Sequence, residues 1–465
     1  MSITSTLSIA AQALKVQQLA VQTTGHNLAN VATPGYSRQR VDLVAASPSF
    51  EGGVWVGRGV DATGIRAIVD RFSEAELLTI HGNVGFSETE QRSLSAIEQA
   101  FPTTGGIDAA LNNFFGALSD LASNPSGQAE RVSLIGKANG LGESLRQTRN
   151  VLLSIQTNLD KDLEAAGRQL NVLTKQIAAL NQQIAFSEST GEPANDSRDQ
   201  RQVLLQQLSH LTGATAREEK DGQVTVLAGN LLLVSGSRAA TVDSSTLGPS
   251  GLHVLLFQGP DGLSYDATSL FAAGQIGAIL KTRDSDVPDV INRLDLLAKT
   301  VVDQVNAQHA GGFDLDGAAG GNFFTPMVSQ SGAAGLVQVD SAVVGNPRLI
   351  AAASIAAGAP GDNRNALSLV NLQNASVPAL GNLTIQDYFL SVLGDIGEQA
   401  QTVEGTLDFQ NALLTQTQTR REAVSGVNID EEMTKLILFQ RAFEASSRLV
   451  TTSDEMYQSL IEMAR

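Results

Sequence analysis

The sequence predicts a mainly α-helical protein with a β-rich insert, in which the two ends of the chain form a coiled-coil-like helical unit. Three observations carry this expectation. Apolar residues recur every seven positions at both ends, a 3-4 apolar spacing runs unbroken from 152 to 184, and short β-prone runs replace it after residue 212. The chain has 465 residues, which at about 150 residues per domain suggests three units.

At the N-terminus, Leu7, Leu14, Val21 and Leu28 form the repeat, interleaved by Ala10, Gln17 and Thr24. This is the seam spacing of a coiled coil. A second stripe, Ile9, Ala13, Val16 and Ala20, lies on another face. Pro34 disfavours helix at Thr33, and Pro34-Gly35 is turn chemistry, so the helix should stop near Asn30 and an extended stretch should follow over 36–44. At the C-terminus the seam reads Met433, Leu436, Gln440, Phe443, Ser447, Val450, Asp454, Tyr457 and Ile461, with Leu438, Ala445, Leu449, Met456 and Met463 on a second face. A helical pair buries one face of each helix; the remaining apolar faces ask for neighbouring subunits. Leu7, Leu14, Val21, Leu28, Leu436, Phe443, Val450 and Tyr457 are therefore the candidate subunit-interface residues.

Between the ends, residues 70–121 read as helix interrupted at 101–106, and a hairpin is expected over 54–65. The 152–184 pattern is one helix of more than 30 residues, ended by the turn-rich stretch 188–196 and followed by a second helix over 197–211. Val224-Thr225-Val226, Leu231 to Val234 and His253 to Phe257 are β-prone. Helix returns at 276–280 and 287–309, and the Gly- and Ala-rich stretch 311–358 contains strand-like pieces such as 335–339. The expected domains are an inner terminal unit (1–70 with 418–465), a helical middle (71–212 with 273–310 and 359–417) and an outer β-rich unit (213–272 with 311–358). The outer unit should leave and rejoin the body at Thr212-Gly213 and Ala273-Gly274, and be removable.

Composition narrows function. Lys and Arg total 31 against 48 Asp and Glu, a net charge of −17, which opposes the concentrated positive surface a nucleic-acid binder needs. There is no cysteine, so disulfides, thiol nucleophiles and Cys-bound metals are excluded. No apolar run is long enough for membrane insertion, and the first 20 residues lack the basic start of a cleaved signal peptide. The five histidines are scattered without paired-ligand spacing. Asp314-Leu315-Asp316-Gly317 lacks the rest of a calcium loop, and Asp284, Asp286 and Asp289 read as helix-start acids. No nucleophile elbow, Walker loop or strand-linked GxGxxG occurs. No catalytic, cofactor or metal site is expected, and the protein reads as a non-enzyme.

The run Asn27-Leu28-Ala29-Asn30-Val31-Ala32-Thr33-Pro34-Gly35-Tyr36 resembles the N-terminal signature of the axial proteins of the bacterial flagellum, the rod, hook and hook-associated proteins. Gly426-Val427-Asn428-Ile429-Asp430-Glu431-Glu432-Met433, followed by Phe439-Gln440-Arg441-Ala442-Phe443, is similar to their C-terminal signature. Ala32 departs from the polar residue usual there. Asn27, Asn30, Pro34, Gly35, Tyr36, Glu431, Glu432 and Gln440 carry the match. Within the superfamily, three interior stretches resemble the hook-associated protein 1 family, the hook–filament junction proteins. They are Gly191-Glu192-Pro193-Ala194-Asn195-Asp196-Ser197-Arg198-Asp199-Gln200-Arg201, the segment from Val305 to Phe324, and Gly361-Asp362-Asn363-Arg364-Asn365-Ala366-Leu367.

The resemblance implies an extracellular structural adaptor, exported through the flagellar type III apparatus without a cleaved signal peptide. It implies self-assembly into a ring-like helical layer and partners in hook protein, hook-associated protein 3 and an export chaperone on the C-terminal helix. Another axial component, of hook or rod, is the alternative; it should lack the long helical hairpin. A secreted adhesin or glycan-binding protein is a third reading, for which the insert lacks aromatic clusters and paired acids.

Overall fold

A computed structural model describes residues 3–51, 53–102 and 104–463. The chain opens with α1 (Ile3–Ala29), which ends just before the predicted turn. Strands β1 (Gln39–Ala45), β2 (Ser49–Glu51), β3 (Val54–Val56) and β4 (Val60–Ala67) follow. The pairing differs from a simple 54–65 hairpin. β1 pairs antiparallel with β4, with a bulge after Asp42, and β2 pairs with β3. Gly53 and Gly59, with φ of +90° and +92°, supply two turns where one was expected.

The body begins at α2 (Arg71–Gln99), whose start is fixed by Asp70 accepting from the Phe72 and Ser73 amides. Then come α3 (Ile107–Ser123), α4 (Gln128–Ser189) and α5 (Asn195–Thr212). At 62 residues, α4 spans about 93 Å and is the spine of the molecule. Gly213, at φ +68°, closes α5 with a left-handed cap.

The insert is two antiparallel sheets. One orders β5 (Thr215–Glu218), β6 (Val224–Ala228), β7 (Leu231–Ser235) and β8 (Arg238–Ala239); the other orders β9 (Thr241–Asp243), β10 (Leu256–Gln258) and β11 (Ser264–Asp266) with β10 central. Gly213 and Gly274 lie against each other, so the insert leaves and returns at one place. It is nonetheless not a detachable lobe. Val226, Leu231 and Leu233 are fully buried in the same core as Leu163 and Leu170 of α4. Asn181 exchanges hydrogen bonds with Val224 and donates to the Gly236 carbonyl, and Asn171 does the same double duty at Val242. The short strands leave backbone groups free, and helix amides satisfy them.

After α6 (Gly274–Lys281) and one π turn, α7 (Val287–Ala310) runs back along the body. Of the three acids expected at its start, Asp289 lies in the first turn, while Asp284 and Asp286 form ion pairs with Arg283 and Lys281. Residues 311–358 form no strand, against expectation. They make turns, isolated bridges and the one-turn α8 (Ser341–Gly345). Small residues let this segment lie flat on α4 and α7, where buried side chains take its backbone groups. Asn306 accepts from the Phe323 and Phe324 amides, Asp295 from those of Gly332 and Ala334, and Arg131 donates to the Ile350 and Pro125 carbonyls. Asp314 accepts from the Asp316 and Ala318 amides, which closes a Gly-rich turn.

The chain ends with α9 (Arg364–Asn371), α10 (Ile385–Ser425), which packs along α2, and α11 (Ile429–Met463), which packs on α1. The inward seam of α11 keeps the expected Leu436 and Val450, half-buried, but its other positions are Glu432, Phe439, Ser446 and Ser453, one residue before the expected Met433, Gln440, Ser447 and Asp454. Its most buried positions are the small serines and a polar anchor at Glu432, while the apolar groups on it are only half-buried. On α1 the buried residues are Ala10, Val16, Ala20, Thr23, Thr24 and Asn27, a mixture of the two expected stripes. Among the described residues no helix is long and apolar enough to cross a membrane.

Candidate functional site

Asn27, near the end of α1, is fully buried and uses all of its amide. Its Nδ2 donates to the Gln39 carbonyl and to Glu432 Oε2, both at 2.8 Å. Its Oδ1 accepts from the Tyr36 hydroxyl at 2.8 Å and from the Gln39 amide at 2.9 Å. One side chain thus joins α1, β1 and α11. Glu432 also takes Lys435 at 2.9 Å, and Arg38 pairs with Glu431 at 2.7 Å. Burial first, then the charges of Asp196, Asp199 and Glu432, push the Tyr36 hydroxyl well above the usual tyrosine range, so it stays a donor.

The turn between α1 and β1 has its own logic. Asn30 donates to the His26 carbonyl and accepts from Thr33, while Pro34 stays exposed and prevents further helix. Gly35 is required on two counts. Its φ is +79°, and a Cβ there would sit 2.4 Å from Val203 of α5. Its carbonyl accepts from Arg421 at 2.9 Å, and Arg421 also pairs with Glu74 of α2.

The α4–α5 turn completes the node. Asp196 accepts from Gln39 at 2.7 Å, Asn195 donates to the Ile65 carbonyl at 3.0 Å, and Asp199 accepts from the Ser37 amide at 2.8 Å. Burial pushes the Asp199 carboxyl up to about 6; the Ser37 hydrogen bonds and Arg421 pull the other way. Arg198 holds the turn itself, as a bidentate partner of Glu188 that also pairs with Glu218. A cavity of about 630 Å³ lies beside the node, lined by His26, Pro34, Tyr36, Asp199 and Val203 among others. The arrangement fixes the terminal helices to the body. It contains no nucleophile–base pair, and among the described residues no His, Cys, Asp or Glu group could hold a metal.

Of the signature residues, Asn27, Asn30, Gly35, Tyr36, Glu431 and Glu432 meet here; Gln440 is exposed, beyond the node. The candidate interface residues lie along the helical pair. Leu7, Phe443 and Tyr457 are exposed, while Leu14, Val21, Leu28, Leu436 and Val450 are half-buried along the contact. Sequence reasoning missed Gln39, Ser425 and Arg421 as partners of the signature. Ser425 accepts from the Arg38 amide through its carbonyl and from the Asp70 amide through its hydroxyl. It also read the 191–201 turn as a family mark without its role. The one available signal was its density of Asn, Asp and Arg in a turn.

The chain matches known proteins over this same architecture. The family described as flagellar hook-associated protein FlgK helical domain matches residues 94–324. The family described as flagellar basal body rod FlgEFG protein C-terminal matches 421–463, a segment that begins at Arg421 and takes in α11. Flagellar hook-associated protein 1 of Bacillus subtilis is 28% identical, with 98% of this chain and 97% of that protein aligned. Its counterpart in Escherichia coli is 27% identical over 99% and 100%. The solved structure of the flagellar hook junction protein FlgK from Burkholderia pseudomallei superposes with a TM-score of 0.66 at 17% identity, covering 76% of this chain and all of that one. With both signatures meeting at one node and the helical hairpin matched, the chain belongs to the flagellar hook-associated protein 1 family.

Proposed function

We propose that this protein is a structural subunit of the bacterial flagellum that assembles between hook and filament and joins them. The observation that carries the reading is the unequal burial of α11. The residues it buries fully are polar, Glu432, Ser446 and Ser453, with Leu436, Phe439 and Val450 half-buried, while Ile437, Leu438, Leu449, Met456 and Ile461 are about half exposed or more on its other faces. A helix that turns this much apolar surface outward is suited to packing among copies of itself. The matched helical domain over 94–324, with its α4–α5 hairpin, favours a junction protein over another hook or rod component.

On this reading the subunits form a ring-like helical layer, with hook protein on one side and hook-associated protein 3 on the other. Leu7, Phe443 and Tyr457 face neighbouring subunits. Before assembly, the apolar faces of α11 need cover, which suits an export chaperone on that helix, and the subunit reaches the outside through the hollow flagellar axis. Purified protein mixed with isolated hooks should form an ordered layer on the hook end, visible by electron microscopy. Binding to glycans with no end layer would overturn the reading.

A further inference from the structure

The apolar surface of α11 is not the only one the terminal unit leaves uncovered. Phe50 on β2 and Trp55 on β3 stand directly opposite each other. Their rings meet edge to face with centroids 5.3 Å apart, yet the residues are 61% and 71% exposed. Val54 beside them is 61% exposed. This aromatic pair on a short two-stranded ribbon leaves most of its surface uncovered in its own chain, although aromatic side chains are the largest contributors to buried interfaces. Trp55 is also the single tryptophan of the chain.

Position and charge indicate what covers it. The turn after β3 rests on α1, where a Cβ at Gly59 would lie 3.2 Å from Ile9. That is five helical turns from Asn27, or about 27 Å. Because α1 runs into the node and α11 runs out of it, the turn after β3 lies at the level of Val450. Beyond that level α11 presents Leu449, Met456 and Met463 on one exposed stripe. The charged residues between Leu449 and Met463 are Asp454, Glu455 and Glu462, all acidic. From Ser49 to Val60 the charged residues are Glu51, at the end of β2, and Arg58, in the turn after β3. Among the described residues neither Arg58 nor Glu455 nor Glu462 has an ion-pair partner. An aromatic knob with one free cation and an apolar stripe with free acids are complementary.

We infer that the Phe50–Trp55 ribbon of one subunit docks on the exposed Leu449–Met456–Met463 stripe of α11 in a second copy of this chain. This is a heterologous contact, with Arg58 set against the acidic residues of that stripe. Such a contact propagates around a layer instead of closing a pair. The inference rests on the proposed assembly between hook and filament.

The single tryptophan makes the test direct. Fluorescence of Trp55 in the free full-length protein should be red-shifted and readily quenched by iodide. In layers assembled on hooks, the emission should shift to the blue and iodide quenching should fall at least about three-fold. Trp55→Ala should weaken layer formation about ten-fold or more, as loss of an interface anchor does, and Trp55→Phe should retain most of it. Arg58→Glu should weaken assembly, and Glu455→Arg in the same chain should restore it. A chain without cysteine also allows Val54→Cys with Met456→Cys to be oxidised cleanly, and a ladder of cross-linked copies is expected. Layers that form while Trp55 stays fully quenchable, or that give no cross-linked copies, would overturn this contact and leave the junction reading standing. Failure of the wild-type protein to form layers at all would overturn both.

Discussion

The helical body and the terminal pair are both built from long helices, but they bury different things. In the body, Phe114, Phe115, Phe323 and Phe324 form one aromatic cluster with centroid separations of 4.9 to 6.2 Å, all at 2% exposure or less. In the terminal pair the most buried residues on α11 are Glu432, Ser453 and Ser446. The body completes its core within one chain. The terminal pair is closed by hydrogen bonds at one end and leaves its apolar groups for other molecules. Stability and assembly are therefore carried by separate parts of the same chain.

The sharpest way to break this contrast is in the body. Phe114→Ala should cost about 3–5 kcal/mol through lost burial and a cavity between facing aromatics, seen as a lower denaturation midpoint for the body. Deleting 215–270 should also destabilise the body strongly, because it uncovers the α4 face at Leu163 and Leu170; loss of helical circular dichroism on heating would check this. At the node the effect is smaller and local. Asn27→Ala removes four hydrogen bonds and strands the Tyr36 hydroxyl, so about 2–3 kcal/mol should be lost from docking of the termini. Limited proteolysis should then cut within α1 and α11 while the body melts as before.

The node should also answer to pH. Asp199 titrates near 6 in the folded chain against about 3.9 when unfolded, so its protonated form is favoured on folding. Its contribution is fully present below about pH 4 and is lost as pH rises through 6. Hydrogen exchange at the Ser37 amide should be slower at pH 5 than at pH 7.5 after correction for intrinsic rates, and Asp199→Asn should remove the difference. The smallest effect on the monomer belongs to Phe443→Asp. Phe443 is exposed, so melting should change by less than about 0.5 kcal/mol, while layer formation on hooks should be lost. Normal assembly of that variant would place Phe443 outside any interface.

Much of this was legible from the chain. The helices over 70–121, the 152–184 part of the spine, the α5 helix and the stop at Pro34 follow from apolar spacing and turn residues, which act over one or two helical turns. The first part of α4, from Gln128, was not read. The β-prone runs at 224–226 and 231–234 became β6 and β7 for the same local reason. The 311–358 segment was misread because its strand-like pieces find their hydrogen-bond partners in Asn306, Asp295 and Arg131, far away in sequence. On α11 half of the expected seam, Leu436 and Val450, lies on the contact, and the other half is displaced by one residue for a related reason. Apolar periodicity points to the largest side chains, whereas the observed seam is chosen by Glu432 bonding to a residue at the other end of the chain.

By itself the sequence determined the secondary structure of most of the long elements, the absence of thiol chemistry, and the presence of two motifs at opposite ends. Those properties depend on neighbours in the chain and on composition. Only the tertiary structure decided that both motifs close on Asn27, that the 191–201 turn holds them, and which face of α11 is left outward. These are contacts between residues hundreds of positions apart, and hydrogen-bond geometry, not hydrophobic period, selects among them.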